Sequence, residues 1–140
     1  MQDENIIHII DPDWAIGEAL GALLGTYGIA VRIFPDAESY LAFFAANEVK
    51  PRCVLIETEL PGMTGLSLLR RLRDEQVEVP IIVLTSSQRP NVHQQAQQLG
   101  ATEVVQKPLL NGFSLERLAQ ILPSVPKRTD IKSEILKRKR

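Results

Sequence analysis

Five short apolar runs, each followed by a stretch with helical spacing or by a turn, constrain this chain more than any other feature. They are "NIIHII" (5–10), "IAVRIF" (29–34), "RCVLIE" (52–57), "PIIVLT" (80–85) and "TEVVQ" (102–106). The first and fourth are almost wholly apolar, as strands buried on both faces must be. The second alternates and is β-branched, and the fifth is short. Between them lie helices. Trp14, Ile16, Leu20, Leu23, Leu24 and Tyr27 recur at helical spacing up to Gly28, with Asp11 or Asp13 as cap and Pro12 suited to the first turn. Asp36 caps a helix through Ala46, with Tyr40, Leu41, Phe43 and Phe44 inside it. After the Pro61-Gly62 turn, Leu66, Leu68, Leu69 and Leu72 mark a third helix. Val92 to Leu99 is a Gln-rich helix that stops at Gly100, and Ser114 caps a last one, Leu115 to Leu122, ended by Pro123 and Pro126.

Strand and helix alternating in this way predict an α/β fold: a doubly wound parallel sheet covered on both faces, with right-handed crossovers. In such a sheet the site lies beyond the carboxyl ends of the strands. The residues at those ends are Asp11 after the first strand, Glu57 at the end of the third, Thr85 at the end of the fourth and Lys107 after the fifth. A lone strand-end acid is more often a cap or a solvated group. Two acids, a hydroxyl and an ammonium converging from four distant segments make a candidate site.

The 140 residues suffice for one domain, read as residues 1–122, followed by a basic tail at 123–140. The tail holds seven Lys or Arg against Asp130 and Glu134. With a whole-chain charge of −1, it carries net +5 and the body −6. A tail that basic raises nucleic-acid binding, but no helix-turn-helix or aromatic interleaving accompanies it and the body is acidic, so a linker or tether is the expected role. The single cysteine, Cys53, excludes an internal disulfide and reads as a small core residue. No apolar stretch approaches the roughly 20 residues of a membrane span, and nothing resembles a signal peptide, so the expected location is the cytoplasm. No Gly-rich phosphate loop follows the first strand, and no Ser or Cys nucleophile has a His beside it, which argues against an enzyme. His8 reads as a satisfied core histidine and His93 as a solvated one.

The pieces "IIDPD" (9–13), "VLIETELPGMTGLSLLRRL" (54–72), "PIIVLTSS" (80–87) and "GATEVVQKP" (100–108) resemble the receiver domain of two-component response regulators, with the flavour of the FixJ-type group. The resemblance spans residues 5–122. It implies a flavodoxin-like sheet of order 2-1-3-4-5, an aspartate that takes a phosphoryl group from a histidine kinase, and a Mg²⁺ ion held by acids. It also implies a switch hydroxyl and aromatic that alter the face formed by the fourth helix, fifth strand and last helix. Asp11 matches the first acid, Thr85 the switch hydroxyl and Lys107 the site lysine, with Pro108 after it. Three positions depart. Pro12 falls where the second acid stands, Glu57 replaces the phosphoacceptor aspartate, and Val104 replaces the aromatic.

Those departures touch the chemistry and spare the scaffold. Pro12 has neither a side-chain oxygen nor an N–H. Asp11 and Glu57 remain as weak candidate metal ligands, with a carbonyl of the loop after the third strand, while Asp13 is better suited to cap the helix or face water, and no resident Mg²⁺ or other cofactor is expected. Glu57 carries its carboxylate about 1.5 Å further out than aspartate would, in reach of Lys107 and of a hydrogen bond from Thr85. The expectation is a pseudo-receiver: a phosphorylation-independent protein-interaction module, with an output domain or another signalling protein as partner, and a homodimer through the fourth-helix face. The competing reading is a competent, Mg²⁺-dependent receiver served by a histidine kinase, heading a longer DNA-binding regulator. Removing the Lys107 charge is expected to disturb the rim loops more than the core.

Overall fold

Every strand the apolar runs predict is present in the computed structural model, which describes residues 5–47 and 50–107. They are β1 (Ile6–Ile10), β2 (Ala30–Phe34), β3 (Cys53–Glu57), β4 (Ile81–Thr85) and β5 (Glu103–Gln106). All four pairings are parallel and the sheet order is β2-β1-β3-β4-β5. The helices between them are α1 (Trp14–Gly25), α2 (Ala37–Ala46), α3 (Gly65–Asp74) and α4 (Pro90–Gln98). The predicted last helix and the basic tail lie outside the described residues.

Side chains alternate across each strand, and this divides the core into two layers. On one face Ile7, Ile9, Cys53, Leu55, Ile82 and Leu84 pack against Leu20 and Leu24 of α1. On the other, Ile10, Val54, Ile56, Ile81 and Val83 meet Tyr40 of α2, Leu68, Leu69 and Leu72 of α3 and Ala96 of α4. β3 and β4 are buried along their whole length, as their unbroken apolar runs require. Cys53 is fully buried, and burial pushes its thiol up to about 12, the behaviour of an inert core residue. His8 is also fully buried, and its Nδ1 lies 3.0 Å from the Tyr40 hydroxyl.

Side-chain caps start three of the helices. Asp13 Oδ1 accepts from the Ala15 N–H, Asp36 Oδ1 from Ser39 and Thr64 Oγ1 from Ser67. Of the two capping candidates for α1, Asp13 is the one that caps.

Three expectations need correction. Trp14 and Tyr27 are exposed, at 51% and 55%, and do not belong to the buried stripe. α1 is apolar nearly all round, so spacing alone could not tell its buried face from its open one. α4 begins at Pro90, two residues before Val92, because proline is well suited to a first helical position where no N–H bond is needed. His93 is half-buried and lies 3.0 Å from Gln106 Oε1, so it links α4 to β5 instead of facing water.

Candidate functional site

The sheet brings Asp11, Glu57, Thr85 and Lys107 to one rim. Each leaves a neighbouring strand at its carboxyl end, and parallel register does the rest. Asp11 follows β1 and its N–H donates to the Phe34 carbonyl. Lys107 follows β5 and its N–H donates to the Thr85 carbonyl at 2.7 Å. Pairing across the sheet therefore fixes the backbone beneath the site.

Two acids and one ammonium form its centre. Asp11 is 1% exposed and Glu57 is 4% exposed. Lys107 Nζ donates to Asp11 Oδ2 at 3.0 Å and stands 3.1 Å from Glu57 Oε2. The second contact is an ion pair at an angle unsuited to hydrogen bonding, so no donor is aligned on that buried oxygen. Asp11 Oδ1 accepts from the Asp13 N–H at 2.9 Å, and Glu57 Oε1 from the Glu59 N–H at 3.3 Å. Burial raises the Glu57 carboxyl above its ordinary range, and the nearby Lys107 ammonium offsets this only in part. Burial alone would lower the Lys107 ammonium, but the Asp11 bond and charge, then the Glu57 carboxylate, outweigh it and hold it above the usual lysine value. The lysine is thus bound first to Asp11, and the cost of desolvation falls on Glu57.

Two glycines allow the β3–α3 loop to hold this geometry. A Cβ on Gly65 would collide with the Glu57 carbonyl, so α3 starts directly against the end of β3. Gly62 takes φ +76° and turns the chain back. Glu38 of α2 then pins the loop: its Oε1 accepts from the Met63 N–H at 2.8 Å.

The predicted bond from Thr85 to Glu57 is replaced by another arrangement. Thr85 is fully buried, and its hydroxyl accepts from the Thr58 hydroxyl at 2.9 Å and from the Ser87 N–H at 3.0 Å. Val104 is half-buried and packs into the α2–α4 layer. Thr58, Ser87 and Glu38 were not foreseen. The one signal for Thr58 is a second polar residue directly after a strand-end acid.

The donors fit a Mg²⁺ ion poorly. Octahedral coordination needs several free oxygens. Here both Asp11 oxygens accept protein hydrogens, Glu57 Oε2 faces the Lys107 ammonium, and Pro12 stands exposed with no oxygen in its side chain. Among the described residues no three His, Cys, Asp or Glu side chains form a metal-binding group. No described helix is long and apolar enough to cross a membrane.

Comparison with known proteins places the fold that carries this rim. The family model described as "Response regulator receiver domain" matches residues 7–122. The transcriptional regulatory protein FixJ of Bradyrhizobium diazoefficiens is 31% identical over 124 residues, which is 89% of this chain and 58% of that protein. The chain thus spans little more than half the length of that relative. Among solved structures, the BeF3-activated N-terminal receiver domain of Klebsiella pneumoniae RstA is 30% identical, with a TM-score of 0.70 covering 84% of this chain and 98% of that one. The Francisella response regulator 1452 receiver domain superposes with a TM-score of 0.76 over 90% of this chain and 99% of that one. At 22% identity it attests the fold alone.

Proposed function

Because the chain belongs to the response regulator receiver domain family, we propose that it serves signal transduction as a pseudo-receiver, a protein-interaction module whose rim is closed by an internal ion pair. Receivers are signalling modules rather than enzymes, and they work by presenting a surface to kinases and output domains. The observation that carries this reading is the position of the Lys107 ammonium, 3.0 Å from Asp11 and 3.1 Å from Glu57. One ammonium stands within ion-pair distance of both buried acids, where a metal ion would otherwise have to sit.

In this reading Glu57 occupies the phosphoacceptor position and does not accept phosphate. Its carboxylate reaches about one C–C bond further than an aspartate, and a displacement of about 1 Å at a reacting centre can cost on the order of 10²-fold in rate. Glu57 is also a partial imitation of a phosphorylated residue. It brings one charge and two oxygens where a phosphoryl group brings about −1.5 to −2 and three. With Val104 in place of an aromatic there is no ring to turn inward. The surface available for a partner is the one built by α4 and β5, where Gln94, Gln95, Gln97 and Gln98 are exposed. A protein partner or a second copy is the expected occupant.

The test is phosphorylation by acetyl phosphate in Mg²⁺, read as an 80 Da gain by mass spectrometry. The parent chain and Glu57→Asp alone are expected to stay largely unlabelled, and Pro12→Asp with Glu57→Asp to label. Full labelling of the parent chain would establish it as a competent receiver. Full labelling of Glu57→Asp alone would show that Pro12 does not impair the metal site.

A further inference from the structure

The hydroxyl of Thr58 is placed to do something that the ion pair does not. Thr58 directly follows Glu57 and is 8% exposed. Its backbone is held on both sides, the N–H donating to the Leu84 carbonyl at 2.9 Å and the carbonyl accepting from the Gly65 N–H at 2.9 Å. The side chain therefore has little freedom, and its hydroxyl donates to Thr85 Oγ1. A hydroxyl oxygen has two lone pairs. Thr85 gives one to Thr58 and the other to the Ser87 N–H. Ser87 Oγ in turn accepts from the Arg89 N–H at 3.2 Å. Arg89 is the N-cap residue of α4 and makes no side-chain cap bond of its own. An unbroken series of hydrogen bonds thus runs from the residue after Glu57, through Thr85 and Ser87, to the residue that starts α4.

We propose that Thr58 is a positioning residue that holds the β4–α4 loop and the start of α4 through Thr85 and Ser87. The inference rests on the pseudo-receiver reading, since it gives Thr85 a protein hydroxyl as its resident partner. Thr58 then sets the surface that α4 offers to another protein. Loss of its hydroxyl frees a lone pair on Thr85, and the loop loses the fixed acceptor that orients the Ser87 N–H. Two buried hydroxyls facing each other are coupled, so once the Thr85 hydroxyl is gone, removing that of Thr58 should add little.

The experiment is amide hydrogen exchange and chemical-shift mapping by NMR on the full 140-residue chain. Thr58→Val removes the hydroxyl and keeps the shape, whereas Thr58→Ser keeps the hydroxyl. With Thr58→Val, Ser87 should exchange on the order of tenfold faster, the change expected for one hydrogen bond. The amides of Arg89 and of α4 should also shift, although Thr58 makes none of the α4 contacts described above. Thr58→Ser should restore the parent pattern. Thr85→Val removes the same bond and the Ser87 acceptor with it, so it should shift the same amides at least as far, and the double variant should add little to Thr85→Val alone. Shifts confined to residues 57–65, with Ser87 and α4 unmoved, would overturn the proposal, as would full additivity of the two single variants. Acetyl phosphate labelling tests the pseudo-receiver reading separately, since neither readout depends on the other.

Discussion

At the scale of single residues the decisive fact is that ionising Glu57 costs more in the folded protein than in the unfolded chain. Its folded-state pKa is raised above the ordinary value of 4.5, chiefly by burial. The folded state therefore holds that proton more tightly than the unfolded state. The stability from Glu57 is present below pH 4.5 and is lost as pH rises through the higher folded value. Glu57→Gln, which cannot titrate, should gain stability relative to the parent chain as pH climbs from about 4.5 toward neutrality. Urea denaturation at several pH values checks this; a parent chain that gains on the variant over that window would contradict it. Lys107 carries a dependence of the same sign in a far more alkaline window, because its folded pKa is also raised, by its acids. Its contribution holds through neutral pH and fades only above the usual lysine value of 10.5. Burial of both acids also changes the outlook for removing this charge. Lys107→Met leaves two carboxylates, 1% and 4% exposed, with no cation between them, and should cost about 3 kcal/mol. Adding Glu57→Gln should recover part of that loss, and a fluorescence-monitored denaturation cycle reads both. The four rim residues were legible because each ends or follows a strand. The true partner of Thr85 was not, because Glu57 and Thr58 are both close enough in sequence to supply it, and only the fold shows which one does.

At the scale of elements, the loops between strand ends and helices carry the function, and their constraints are local. Gly65 is the clearest. Its backbone lies against the Glu57 carbonyl with no room for a Cβ. Gly65→Ala should push α3 away from β3 and lower stability by about 1–3 kcal/mol, the usual cost of overpacking. Chemical denaturation measures this, and an unchanged midpoint would show that the contact is loose. Element types were readable throughout the described residues, since strands buried on both faces and capped helices have distinct patterns. Boundaries were less so. Pro90 opens α4 before its first apolar residue, and the even hydrophobicity of α1 concealed the exposure of Trp14 and Tyr27. The turn after α3 uses Gln76 at φ 63°, without the glycine that would have marked it. There Arg73 donates to the carbonyls of Val77, Val79 and Gly100, fastening the end of α3 to the segment before β4 and to the α4–β5 turn.

At the scale of the whole molecule, the scaffold is that of the receiver family, and the proposed pseudo-receiver differs from it at the centre alone. The two core layers are built mainly from apolar residues, so a parallel sheet with its rim at the strand ends follows from the alternation of strands and helices, whereas the order 2-1-3-4-5 is what the family resemblance implies. The substitutions at Pro12, Glu57 and Val104 leave those layers intact. In the proposed reading the rim keeps its place while an internal ammonium stands between the two acids, because the strands that deliver the groups do not depend on what the groups do. The most direct test is titration of the full chain with Mg²⁺ and beryllofluoride, followed by NMR. The account predicts no saturable shifts at Glu57, Thr85 or Lys107 and no change along α4. Saturable shifts at those three residues that spread into α4 would show a working acceptor site and contradict it.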